Sequence, residues 1–132
     1  MRDAQTLVLG VGEDCSKPTL IIQAKTALSI KARAKGYSNR REQLKKNEAM
    51  LFIFRPPQLV SFWMKETHIP LQIGFFSSDG KLHEKYQMTV EEDPQNPIRR
   101  YESREKISMA LEVAPGELNR VSRNSQLCVE KR

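Results

Sequence analysis

Residues 49–76 constrain the fold of this chain more than any other stretch. Ala49-Met50-Leu51-Phe52-Ile53-Phe54 is a continuous apolar run of strand length, which predicts a strand. Pro56-Pro57 follows, and because proline has a fixed φ and no N–H to donate, the strand is predicted to end there. Leu59 to Met64 and Leu71 to Phe76 read as two more strands. Ser78-Asp79-Gly80 then supplies a turn into Lys81 to Thr89, an exposed strand with poor alternation. Successive strands with short links predict an antiparallel meander, and the only tryptophan, Trp63, lies inside it.

Around this block the signals are weaker but of the same kind. Thr6 to Val11 and Thr19 to Ala24 are β-branched runs separated by Gly12, Asp14, Ser16 and Pro18, which reads as strand, turn, strand. Residues 1–18 are expected to be an N-terminal extension or edge strand ahead of a single domain over 19–132. From Thr26 as N-cap, apolar positions recur at Ala27, Ile30, Ala34 and Tyr37, a helical stripe that Gly36 would stop. Residues 90–106 carry an acidic run, two prolines and no periodicity, and read as a long loop. Met109, Leu111 and Val113 alternate with Ser108, Ala110 and Glu112, giving another strand; Pro115-Gly116 opens a short helical turn, and Leu127 to Val129 is a last strand. The fold class expected is α+β: one compact, β-rich domain with a mainly antiparallel, barrel-like or sandwich-like sheet and one or two short helices. A chain of 132 residues leaves no room for a separate catalytic domain.

The net charge of +6 is concentrated rather than spread. Residues 25–46 hold eight cations against the single acid Glu42, so this segment carries +7 and the rest of the chain −1. Lys31, Lys35, Arg40, Arg41, Lys45 and Lys46 are therefore candidates for contact with nucleic acid or an acidic partner. The competing reading is a set of solvated faces whose aliphatic stems cover the core edge. Only Tyr37 in the segment is aromatic, which is thin for the stacking platforms of single-stranded nucleic-acid binding.

No run of about 18 apolar residues exists, so a spanning helix is excluded, and the short apolar stretch near the start does not read as a signal peptide. These features predict a cytoplasmic protein. Cys15 and Cys128 lie at opposite ends without a Cys-x-x-Cys, and two reduced thiols are expected, although nearby chain ends make a disulfide geometrically possible.

The chemistry-bearing motifs are mostly missing. Gly10-Val11-Gly12 has Cys15 where a dinucleotide fingerprint needs its third glycine, and there is no P-loop, nucleophile elbow or His-Glu-x-x-His. His68 and His83 have no acidic residues spaced to share a metal, so neither a metal nor a cofactor is expected. Glu66 and Glu112 are the carboxylates nearest candidate pocket positions, yet no spacing marks them as an acid–base pair. An enzyme is the weakest of the functional readings.

Met50-Leu51-Phe52, Phe62-Trp63-Met64-Lys65-Glu66-Thr67, Ile69-Pro70-Leu71-Gln72-Ile73, Phe75-Phe76 and Asp79-Gly80 together resemble the signature of the bacterial and archaeal family catalogued as domain of unknown function 192. Met109 to Gly116 is similar to that family's Leu-Glu-x-x-Ala-Gly region, and Arg41-Glu42-Gln43-Leu44 to its Arg-x-x-Leu element. The resemblance spans residues 20–130 and implies a compact β-rich domain with one or two short helices, but no settled activity. It departs where the family's Asn is Glu66 and its Asp is Gln72. If that Asp pairs with the signature lysine in relatives, Lys65 loses that partner here, and Glu66 is a candidate to replace it within the same local network. Strand alternation would set Trp63 and Lys65 on one face. The expectation is a polar pocket around Arg41, Trp63, Lys65, Thr67, Gln72 and Glu112 for a small anionic or sugar-like ligand, with the basic segment as the alternative binding surface.

Overall fold

The apolar runs pair into a seven-stranded mixed sheet in the computed structural model, which describes residues 1–130. In chain order the elements are β1 (Thr6–Gly12), β2 (Leu20–Ala27), α1 (Ile30–Lys35), β3 (Glu48–Gln58), β4 (Ser61–Phe62), β5 (Leu71–Phe76), β6 (Leu82–Met88), β7 (Tyr101–Glu102), β8 (Ile107–Val113) and β9 (Gln126–Val129). The sheet order is β6-β5-β8-β3-β2-β1-β9, and β4 pairs with β7 in a separate two-stranded ribbon. The sheet curls into a half-barrel, and its two end strands approach at one point, where the Leu127 N–H donates to Gly80 O and the Leu82 N–H to Ser125 O, each at 2.8 Å. The β-rich, α+β class expected from the sequence is what the chain adopts.

Several local expectations are corrected. The meander breaks because β8 inserts between β3 and β5, and β2 and β3 run parallel across the connection that carries α1. β1 lies between β2 and β9, so residues 6–12 are an interior strand and not an edge. Pro56-Pro57 interrupts β3 without ending it: pairing with β8 stops at Ile53 opposite Met109 and resumes at Gln58 opposite Ile107. Residues without an N–H to offer are accommodated by a local irregularity in the ladder. The expected strand over 59–64 shrinks to two residues, a two-residue strand, β7, forms inside the 90–106 loop, and 115–120 are turns.

The helix begins later than expected. Thr26 stays in β2, where its hydroxyl accepts from the Gln5 N–H at 3.0 Å, and Ser29 caps α1 by accepting from the Ala32 N–H at 3.1 Å. Ile30 is 79 % exposed, so the predicted stripe is not the buried face. Arg33 holds the helix down instead: its guanidinium donates to Leu28 O at 2.6 Å and Ile53 O at 2.9 Å, and lies 4.8 Å from the Phe54 ring centroid. Gly36 ends the helix at φ +45, a left-handed conformation that costs glycine little, and packs beside Phe52.

Alternation along the central strands produces two cores. Leu51, Ile53, Leu111, Val113 and Phe76 face the inside of the curl, together with Leu9, Val11 and Ile22. Phe52, Phe54, Leu71, Ile73, Phe75 and Ala110 face outward and are covered by Tyr37, Leu44, Met64, Ile69 and Tyr101 from the connecting segments. Phe62 seals this second layer, with ring centroids 5.1 Å from Phe52, 6.2 Å from Phe54 and 5.8 Å from Phe75. Such aromatic pairs contribute roughly 0.5–1.5 kcal/mol each beyond the area they bury.

Cys15 and Cys128 form a disulfide, contrary to the reduced thiols expected. Antiparallel pairing of β1 with β9 carries the two Cα atoms to 6.0 Å, inside the bridging range. Sequence separation concealed a proximity that the sheet creates.

Candidate functional site

A cavity of about 320 Å³ opens on the outer face of the sheet, between the end of α1, the 58–67 segment and strands β3 and β8. Phe52, Phe54, Phe62 and Leu71 form apolar walls, and Tyr37, Thr67 and Glu112 supply polar groups. Lys35 and Lys65, which retain solvent contact, stand at its mouth.

Glu112 is placed there by strand alternation. It sits on β8 opposite Met50 of β3 and Ile73 of β5, pointing into the outer layer while Leu111 and Val113 enter the curl. The residue is 5 % exposed, and burial alone pushes its carboxyl up to about 8, with no neighbouring cation or donor offsetting the shift. A carboxyl so placed is mainly protonated at neutral pH. No buried side-chain nitrogen or oxygen among the described residues lacks a partner, so this carboxyl meets the cavity and is not sealed in the wall. Tyr37 stands nearby; burial raises its phenol, and the Glu48 and Glu112 charges add to the effect.

Trp63 and Lys65 do share a face, although the segment is a turn and not a strand: the Lys65 ammonium lies 5.4 Å from the indole centroid. Arg100 takes a second position 3.9 Å from the ring. Trp63, 40 % exposed, is therefore a support for two cations at the cavity's edge and not a bare stacking platform. Thr67 closes the turn, donating its hydroxyl to Lys65 O at 3.0 Å. Glu66, with φ +54, turns its carboxylate toward the Asn39 side-chain amide at 3.4 Å and leaves Lys65 unpaired by it. The local exchange of acids beside Lys65 therefore does not occur.

Two of the residues grouped by the sequence lie elsewhere. Gln72 faces the inside of the curl, where its Oε1 accepts from the Leu118 N–H at 2.7 Å and its amide donates to Asn119 Oδ1 at 3.0 Å. This braces the 115–121 turns against β5, and it excludes contact between position 72 and Lys65. Arg41 lines a different, wider groove of about 1110 Å³, with Arg40, Lys45 and Lys46 from the 37–48 segment and Lys25 beside Ile21 and Val8 on the sheet. Arg40 is committed to Glu48, donating Nη2 to Oε1 at 3.0 Å, a contact that raises the guanidinium and lowers the carboxylate. Lys35 belongs to the cavity and Lys31 is exposed on α1, so the basic segment divides between two surfaces. Tyr37 and Lys35 were not grouped with the pocket by sequence; the signal was their place just around the Gly36 helix stop, which aims them at β3.

Among the described residues no three His, Cys, Asp or Glu side chains gather as metal ligands would, and no helix is long and apolar enough to cross a membrane. Glu91 organises the acidic loop: it accepts from the Ile98 N–H at 3.2 Å and the Arg99 N–H at 3.1 Å, bonds that lower its carboxylate.

The architecture recurs in solved structures. A protein from Sinorhizobium meliloti 1021 that carries a provisional assignment as a transcription regulator is 27 % identical, with a TM-score of 0.83 over 98 % of this chain and 97 % of that one. A protein of unknown function from Novosphingobium aromaticivorans DSM 12444 superposes with a TM-score of 0.77 at 23 % identity, covering 93 % of this chain and 84 % of that one, a likeness of fold alone. No curated protein matches the chain. The family model DUF192, described as Uncharacterized ACR, COG1430, matches residues 13–126, and the chain belongs to that family.

Proposed function

We propose that the protein is a small-molecule binding module whose site is the cavity over β3 and β8. The observation that carries this reading is Glu112, a buried carboxyl without a compensating charge that opens onto a cavity with aromatic walls and cations at its mouth. Buried ionisable groups of this kind cost stability and concentrate at functional sites. A small ligand with an anionic or sugar-like part would meet Lys35 and Lys65, while its body displaces water from Phe52 and Phe62. Trp63 fluorescence should change saturably with such a ligand and lose the response in Lys65→Ala. No response to a broad panel of sugars, carboxylates and phosphates contradicts the reading.

The groove lined by Arg41, Lys45, Lys46 and Lys25 favours a second reading, binding of nucleic acid or an acidic partner, since Glu48 is already neutralised by Arg40. The provisional regulator assignment of the Sinorhizobium protein is consistent with it. Affinity for short nucleic acids should fall with salt by about one unit of log–log slope per phosphate contact; salt-insensitive or absent binding removes it. For location, the sequence pointed to the cytoplasm, whereas the Cys15–Cys128 bond points to an oxidising compartment, and we take the bond as the stronger guide. Trapping thiols with iodoacetamide at lysis decides between them.

A further inference from the structure

We infer that the cavity's ligand is a small zwitterion, with a primary ammonium against Glu112 at the floor and an anionic group between Lys35 and Lys65 at the mouth. The inference rests on the pocket reading above and names the chemistry that such a pocket would select.

The charged and titratable groups around the cavity are few. Arg33 and Lys35 come from α1, Tyr37 from the chain just beyond it and Lys65 from the turn after β4, while β3 and β5 set only Met50 and Ile73 opposite Glu112. Arg33 is spent on the Leu28 and Ile53 carbonyls and on the Phe54 ring, and so is not the counter-ion. A ligand that accepts a hydrogen bond would use the neutral carboxyl and recover none of the cost of burying it. A ligand that brings the missing positive charge recovers that cost as an ion pair and places the ammonium among Phe52, Phe62 and Tyr37. A purely cationic ligand would be repelled by Lys35 and Lys65; an anionic end converts that repulsion into attraction. At about 320 Å³ the cavity suits a molecule of amino-acid size.

When the ammonium docks, Glu112 releases one proton to solvent and the amine keeps its own. Affinity should therefore rise about tenfold per pH unit below the carboxyl's titration and level off above it. The test is calorimetry of the full chain with 5-aminopentanoate, pentylamine and pentanoate between about pH 6 and 8, in the native protein and in Glu112→Gln. The expected result is tightest binding of 5-aminopentanoate, strengthening with pH, and loss of both the binding and the pH gain in Glu112→Gln. Equal binding of pentanoate, or affinity that falls as pH rises, overturns the inference in favour of an acceptor ligand. Silence from all three compounds alongside a saturable Trp63 response to a sugar or phosphate overturns the ligand class and leaves the pocket reading standing. Silence in both assays removes the pocket reading as well.

Discussion

Replacing Glu112 with Gln should stabilise the protein in a pH-dependent way. The folded carboxyl is raised to about 8 from an ordinary 4.5 by burial alone. The native state therefore holds a proton that the unfolded chain gives up, and stability falls as pH rises from about 4.5 until it levels above about 8. The cost of burying the group is under about 1 kcal/mol at pH 5, about 3 kcal/mol at pH 7 and approaches about 5 kcal/mol above pH 8. Glutamine keeps the shape of the protonated acid and does not titrate, so Glu112→Gln should unfold at higher urea by these amounts. The lowered carboxylates, Glu48, Glu91, Asp3, Asp14, Asp79 and Asp93, act in the opposite sense, and their contribution is lost only as pH falls below their ordinary values. They are constant across pH 5–8.5 and cancel between the two proteins. Urea midpoints at about pH 5, 7 and 8.5 give the comparison. Parallel pH profiles for the two proteins would refute the reasoning, because they would mean that Glu112 ionises in the fold as freely as in the unfolded chain.

Gln72→Ala should cost about 2–4 kcal/mol in urea denaturation, through the lost bonds to Leu118 and Asn119 and the cavity left inside the curl. Glu66→Asn should gain roughly 0.5–1 kcal/mol, since asparagine tolerates the left-handed backbone at φ +54 better than glutamate does. Reducing the Cys15–Cys128 bond, which closes a separation of 113 residues, should lower stability by about 4–5 kcal/mol on the chain-entropy account, and the unreduced denatured protein should take up no iodoacetamide. Arg100→Ala should make Trp63 more accessible to acrylamide quenching by removing the guanidinium 3.9 Å from its ring.

The elements that local sequence specifies are those with strong period and punctuation. Leu71 to Phe76 emerged as β5 with the predicted bounds, and β1, β3 and β9 fall where the β-branched and apolar runs lie. Their order did not follow from the sequence, because the partner of a strand is set by the whole sheet: β8 enters between β3 and β5 from more than thirty residues away. The same non-local pairing hid the disulfide and made β1 interior. In the site, Glu112 was legible from its place on a strand, and Trp63, Lys65 and Thr67 from the signature, though a turn and not strand alternation brings them together; all four line one cavity. Gln72 was not, because residues adjacent in a motif point to opposite faces of a strand: Leu71 lines the cavity and Gln72 enters the curl. Arg41 was grouped by charge and motif alone, and the fold of residues 37–48 sends it to the second groove.

Everything proposed for the cavity depends on a buried carboxyl without a counter-charge at its floor. The most direct test is a 13C NMR titration of the Glu112 side-chain carboxyl in the ligand-free protein. The expected midpoint lies near 8 and moves downward when 5-aminopentanoate is added. A midpoint in the ordinary carboxylate range would show that the carboxyl is solvated and would contradict the account of the site.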